Sequence, residues 1–263
     1  MVNGQDQLSK TTLPRPYNMF AARNMILCGA AFSPAQLLPL AWYDASIAAC
    51  YPGTGTTVTD IGGAGNGGTL TNGVTFTGVD GGAFVFSAAS SQYINLASIA
   101  SGAKLSGKSG FSCSAFIKTT AGQRAPFSYG AGGSFTTDIL VATTATTLFS
   151  QINNGADGSG TVIYTIPAGY FHYALVFDGT QTGNANRLKL FINGVQQTLT
   201  FTYTVPATTG SPASPLCRVG SYVSSPAGWY MQGSIANIAI FDKALTNANI
   251  TSLYNHGRGR LGI

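Results

Sequence analysis

"YFHYALVFDGTQTGNANRLKLFINGVQQ" spans residues 170–197. Residues 171–178 and 187–192 are rich in Phe, Tyr, Val, Leu and Ile, which pack well on a pleated surface. Between them lies a polar insert of Gly, Thr, Gln and Asn, the residue types that make turns. Asn193-Gly194 then separates "KLFI" from "VQQTL". This is the strongest short-range hairpin signal, because both central residues must accept positive φ. The stretch predicts a strand, a rim loop, a second strand and a tight turn.

The same rhythm extends in both directions. "GTLTN", "AFVFSA", "QYINLA", "FSCSAFIKT", "APFSYG", "ILVATTATTLFSQIN", "TVIYTI", "TLTFTYTV", "LCRVGSY" and "MQGSIANIAIFD" read as strands. Gly, Asn, Pro and Ser clusters separate them. One helix is expected, "TNANITSLYNHG", with Thr246 as its N-cap and Gly257 ending the pattern. About twelve strands and one late helix predict an all-β fold, a two-sheet antiparallel jelly-roll sandwich. The Gly-rich "DIGGAGNGG" lacks the strand-to-helix context of a phosphate loop.

The sandwich is expected over residues 41–263, preceded by an N-terminal extended arm over residues 1–40. That segment holds Pro14, Pro16, Pro34 and Pro39 and an apolar stretch with little period-two alternation. It reads as an arm that anchors to a partner through Arg15, Tyr17, Met19, Phe20 and Arg23, with packing onto its own domain as the alternative. The closing "GRGRLGI" reads as a basic tail that adds contacts to a partner.

Charged residues make up 8% of the 263 residues, against about 25% in an ordinary domain. The surface is built from Gly, Thr, Ser, Ala and Asn instead. The net charge of +5 comes from scattered bases, without the dense stripe that nucleic acid requires. Cys28, Cys50, Cys113 and Cys217 are widely spaced, with no CxxC pair, and read as small buried hydrophobes, with two disulfides in one of three connectivities as the alternative. The polar N-terminus lacks the pattern of a secretory signal. Pro34 and Pro39 interrupt the most apolar stretch, so no membrane span is expected.

The ordered set "WYDAS", "TVTDIGGAGNGGTLTNGVTF", "FVFSAASSQYINL", "FSCSAFIKT", "FHYALVFDG", "RLKLFINGV" and "GSIANIAIFDKALTNANITSLYNHG" resembles the concanavalin A-like lectin/glucanase superfamily in its laminin-G-like branch. The resemblance covers residues 42–257, and the closing block is its most specific part. With its N-terminal extension, the chain also resembles such domains in tailed-phage virion structural proteins.

The superfamily includes glycoside hydrolases with paired Glu residues, and retaining hydrolysis needs two carboxyls about 5 Å apart. This chain has no Glu, and its eight Asp residues are scattered; an enzyme is not expected. His172 and His256 read as structural. The resemblance also brings calcium into view, with Asp178 at the family's strand-end Asp-Gly position as a weak candidate ligand. No second carboxylate lies near it in sequence, so the expectation is no cofactor. Sugar recognition needs an aromatic platform beside amides and hydroxyls. Trp229 and Tyr230, with Asn153, Asn154 and Asp157, form the candidate glycan set; the alternative is that Trp229 seals the sandwich edge and Tyr230 starts a strand.

These observations lead to an expected role as a phage virion structural protein, made in the host cytoplasm and carried in the particle. The leading form is a capsid decoration or cement protein that binds the major capsid protein or other virion proteins, with homo-oligomerisation compatible. The alternatives are a tail or fibre adhesin for host-surface glycans and a non-viral lectin-like carbohydrate-binding module.

Overall fold

The computed structural model describes residue 1 and residues 31–133, 136–155, 158–223 and 229–263. The chain divides into two compact units, Met1–Ala31 and Phe32–Ile263. Arg15, Tyr17, Met19, Phe20 and Arg23 lie outside the described residues, as does Cys28. The second unit holds the described strands and helices.

Its strands begin with β1 (Ala41–Tyr43), β2 (Thr57–Val58), β3 (Gly68–Thr71), β4 (Thr75–Thr77), β5 (Ala83–Phe86) and β6 (Tyr93–Asn95). Helix α1 (Ala97–Ser101) leads to β7 (Gly110–Thr119), β8 (Arg124–Ala131), β9 (Ile139–Thr143), β10 (Thr147–Ile152), β11 (Ser159–Ile163) and β12 (Phe171–Asp178). One helical turn, α2 (Asn184–Arg187), precedes β13 (Leu188–Ile192), β14 (Val195–Gln196), β15 (Thr200–Phe201), β16 (Pro215–Val219) and β17 (Gly233–Phe241). Helix α3 (Asn247–Arg258) closes the series.

These strands form the expected antiparallel sandwich. The eight-stranded sheet runs β14-β13-β12-β7-β17-β5-β4, with β1 also paired to β17. The nine-stranded sheet runs β15-β11-β10-β9-β8-β16-β6-β3-β2. Period-two alternation sends one face of each sheet inward. Phe111, Cys113, Ile117, Tyr173 and Leu175 thereby share a core with Phe127, Tyr129, Val141, Ile94 and Val219. Cys50, Cys113 and Cys217 are buried free thiols, and burial pushes the Cys50 thiol up to about 12.

The run "FHYALVFD" lacks polar alternation because both faces of β12 are covered. Its outward Ala174 and Val176 pack with Ile250 and Leu253 of α3. Outward His172 is fully buried, and its Nε2 lies 2.8 Å from the Ser114 hydroxyl. Burial lowers its pKa to about 3, so the ring is neutral. The Asn193-Gly194 turn forms as expected, with φ of 50° and 77°. The Oδ1 of Asn193 also accepts from the backbone N–H of His172 at 2.9 Å.

Several local expectations change. "ILVATTATTLFSQIN" is two strands, because Thr144 and Thr147 close a turn through paired hydroxyls at 2.7 Å. Thr246 caps α3 in a reciprocal capping box with Asn249. Gly257 does not end that helix; α3 continues to Arg258. The role of Gly257 is close approach, since a Cβ there would lie 2.4 Å from Phe116.

The tail also finds a core of its own. Leu261 is buried with Ala83, Phe116, Tyr170 and Ala236. The Arg260 Nη1 pairs with buried Asp44 at 2.9 Å. Residues 32–40 pack too. Phe32, Ala35 and Leu37 lie on the α3 cluster, and the Phe32 carbonyl is 3.0 Å from the Nδ1 of His256. Among the described residues, no helix is long and apolar enough to cross a membrane.

Candidate functional site

Strand register decides what the nine-stranded sheet presents outward. Inward Val219, Phe127 and Val141 lie in one cross-strand row. The adjacent outward row runs Thr57, Thr69, Asn95, Arg218, Ser128, Leu140, Gln151 and Ser159. A second outward row runs Ala142, Phe149, Thr161 and Thr200. Hydroxyl and amide side chains dominate the first row, and two threonines flank Phe149 and Ala142 in the second.

An aromatic cluster sits on this face. Trp229 stands edge-on to Phe149, with ring centroids 6.2 Å apart and planes at 80°. Tyr222 lies against the same indole at 5.1 Å. Outward Ala125, Leu140 and Ala142 form the floor. The backbone holds Trp229 in place: its carbonyl accepts from Ala125 N–H at 2.9 Å, and its φ is +35°. That conformation is unusual for a bulky residue, and it leaves the indole partly exposed. Beyond Phe149, a hollow of about 480 Å³ is lined by Thr161, Val162, Ile163, Thr198, Thr200 and Thr202. Apolar rings beside a bank of hydroxyls suit a sugar, whose C–H faces stack while its hydroxyls hydrogen-bond.

The expected glycan residues are placed as follows. Trp229 is the partly exposed edge of the cluster, and Tyr230 beside it is also partly exposed. Asn153 is fully buried. Its amide donates to the Asp138 carboxylate at 2.7 Å, and its Oδ1 accepts from Gly158 N–H at 3.0 Å. It therefore frames the rim and supports Tyr222, whose hydroxyl donates to the same Asp138 carboxylate. Asn154 is exposed and donates to the Thr208 hydroxyl at 2.9 Å. Asp157 lies outside the described residues. Phe149, Thr161 and Thr200 carry no signal of their own in the sequence; only register brings them together.

A larger cleft, about 860 Å³, lies on the eight-stranded sheet, lined by Val79, Val85, Ile166, Pro167, Tyr170 and Lys118 among others. Among its described lining residues the one aromatic, Tyr170, is buried.

Several described carboxylates are engaged within the fold. Asp60 accepts from the backbone N–H groups of Trp42, Gly62 and Asn66. Asp44 pairs with Arg260, and Asp242 lies 3.6 Å from Lys108. Asp178 accepts from the Thr180 hydroxyl and from Gln181. The Thr180 hydrogen bond is the main cause of its lowered pKa. Among the described residues, no group of three His, Cys, Asp or Glu side chains is placed to hold a metal.

Solved structures share this architecture. Domain 4 of an extracellular arabinanase from Geobacillus stearothermophilus, in complex with arabinotriose, superposes with a TM-score of 0.59 at 20% identity. That match covers 82% of this chain and 98% of the domain. The binding domain of botulinum neurotoxin DC, in complex with rat synaptotagmin II, gives 0.57 at 13% identity, covering 85% of this chain and 52% of that one. The receptor-binding domain of botulinum neurotoxin type G gives 0.52 at 12%, covering 83% and 51%. This chain thus spans about half of each neurotoxin domain. A comparison with curated proteins finds no match. A laminin G-type sequence profile matches residues 88–251, and the chain belongs to the concanavalin A-like lectin/glucanases superfamily.

Proposed function

We propose that this domain binds glycans, on the outer face of the nine-stranded sheet, in the manner of a lectin-like carbohydrate-binding module. One observation carries the reading: the partly exposed Trp229, propped edge-on against Phe149, whose cross-strand partner Thr161 lines a hollow with three further threonines. Trp229 would stack on a sugar ring. Thr161, Thr200 and their neighbours would meet its hydroxyls. The fold is compatible with such a ligand, since the similar arabinanase domain is seen with arabinotriose. The reading involves binding without catalysis and requires no cofactor.

Affinity electrophoresis through gels containing polysaccharides tests it. A retarding polysaccharide should be found for the wild-type chain, and Trp229→Ala should run unretarded in that gel. Equal retardation of both proteins would remove the site from this face.

The virion reading rests on its own observation, a chain 8% charged with a proline-punctuated segment before the sandwich. On its leading form the segment ahead of the packed residues 32–40 engages the major capsid protein or other virion proteins; on its alternative form the glycan face serves a tail or fibre adhesin. Immunogold labelling of particles tests it: label on heads or tails supports it, and bare particles remove it.

A further inference from the structure

Arg218 lies in the same outward row, on β16, between Asn95 of β6 and Ser128 of β8. Its guanidinium sits 4.3 Å over the ring of Tyr93. This stack fixes the plane of the group and leaves its edge donors pointing away from the ring. Among the described residues the buried Nε has no hydrogen-bond partner, and the Nη1 reaches the Ser221 hydroxyl at 3.4 Å. Among the described residues no carboxylate pairs with it: Asp44 and Asp242 pair with other bases, and Asp60, Asp138 and Asp178 are engaged elsewhere.

The neighbours complete an acceptor site. Asn95 stands directly opposite Arg218 in register, which brings the two Cβ atoms to about 5 Å. The Asn95 side chain makes no hydrogen bond among the described residues. Ser128, on the other flank, is already committed, donating to the Ser221 carbonyl at 2.7 Å and accepting from Val223 N–H at 3.1 Å. The row thus leaves a guanidinium fork and an amide side by side. That arrangement matches the two oxygens of a carboxylate.

We propose that Arg218 and Asn95 form a carboxylate subsite, so that the glycan bound here carries an acidic sugar, a uronic or sialic-type acid. The inference rests on the glycan reading above. Three strand spacings, about 14 Å, and two residues along β10, about 7 Å, separate Arg218 from Phe149, about 16 Å in all. An oligosaccharide would reach from the fork to the aromatic wall. A chain this poor in charge places few cations, and this one is stacked on a ring with no carboxylate partner among the described residues.

The test compares acidic oligosaccharides (oligogalacturonates, oligoglucuronates and sialyl-oligosaccharides) with their methyl esters, by titration calorimetry on the full chain. At least one free acid should bind about tenfold or more tightly than its ester, and the gap should narrow as salt is raised. Arg218→Gln should abolish the gap, and Arg218→Lys should restore only part of it. Neutral glycans that bind while acids bind no better than esters would overturn this inference alone. Failure of every glycan would overturn the glycan reading with it. Should Arg218→Gln fold poorly, the acid–ester comparison on the wild type still decides.

Discussion

The indole of Trp229 meets Phe149 edge-on, at 6.2 Å between centroids, whereas the chain's other tryptophan, Trp42, is buried and donates its N–H to Asn237 Oδ1 at 2.8 Å. The two indoles are therefore separable by fluorescence. In Trp42→Phe, emission from Trp229 should be readily quenched by acrylamide and protected by a bound glycan. In Trp229→Phe, emission from Trp42 should be little quenched and insensitive to ligand. Ligand-sensitive Trp42 emission would place the ligand elsewhere.

His172 makes stability depend on pH. Its folded pKa, about 3, lies below the unfolded value of about 6.5. The folded protein holds the ring neutral while the unfolded chain takes up a proton below pH 6.5. This contribution is complete above about pH 6.5 and falls as pH drops, by up to about 1.4 kcal/mol per unit, until the folded ring itself protonates. Between pH 6.5 and 5, before most carboxylates titrate, denaturant midpoints should fall more steeply for the wild type than for His172→Gln. Parallel slopes would contradict a buried neutral imidazole.

Gly257 reverses an ordinary helix rule. Gly→Ala inside a helix normally stabilises by about 1 kcal/mol. Here the new methyl would lie 2.4 Å from the Phe116 ring, and overpacking costs about 1–3 kcal/mol. Gly257→Ala should therefore lower the thermal midpoint, and pairing it with Phe116→Leu should recover part of the loss. A raised midpoint in the single variant would show that α3 can lift away from the sheet freely.

Arg260 ties the chain's end to the loop after β1 through Asp44, which is 1% exposed. Removing one partner of a buried pair leaves the other charge uncompensated. The arginine is partly exposed, so the cost of Arg260→Met is moderated to about 1–3 kcal/mol. The double variant with Asp44→Asn should be more stable than additivity predicts. Strict additivity by urea unfolding would mean that the pair does not couple.

Much of the fold is legible in the sequence because local chemistry and tertiary demand agree. Asn193-Gly194 has both positive-φ residues its turn requires, and Thr246 finds its capping partner three residues on. Gly257 reads wrongly as a helix end because its partner, Phe116, lies on a distant strand. The tail looks basic and unattached because Asp44, which neutralises Arg260, stands 216 residues earlier. The candidate site is legible only at Trp229. Asn153 sits in an Asn-Gly loop that looks exposed, yet Asp138 draws it inside. Phe149, Thr161 and Thr200 come from three strands, as do Asn95, Arg218 and Ser128. A one-residue slip would scatter each set, and no single segment records that register.

The most direct measurement is a glycan array probed with the full chain and with Trp229→Ala in parallel. A glycan-binding face at Trp229 predicts a restricted set of glycans retained by the wild type, with that signal lost in the variant while its thermal unfolding stays cooperative. An array with no retained glycan, or the same set retained at equal strength by Trp229→Ala, would contradict it.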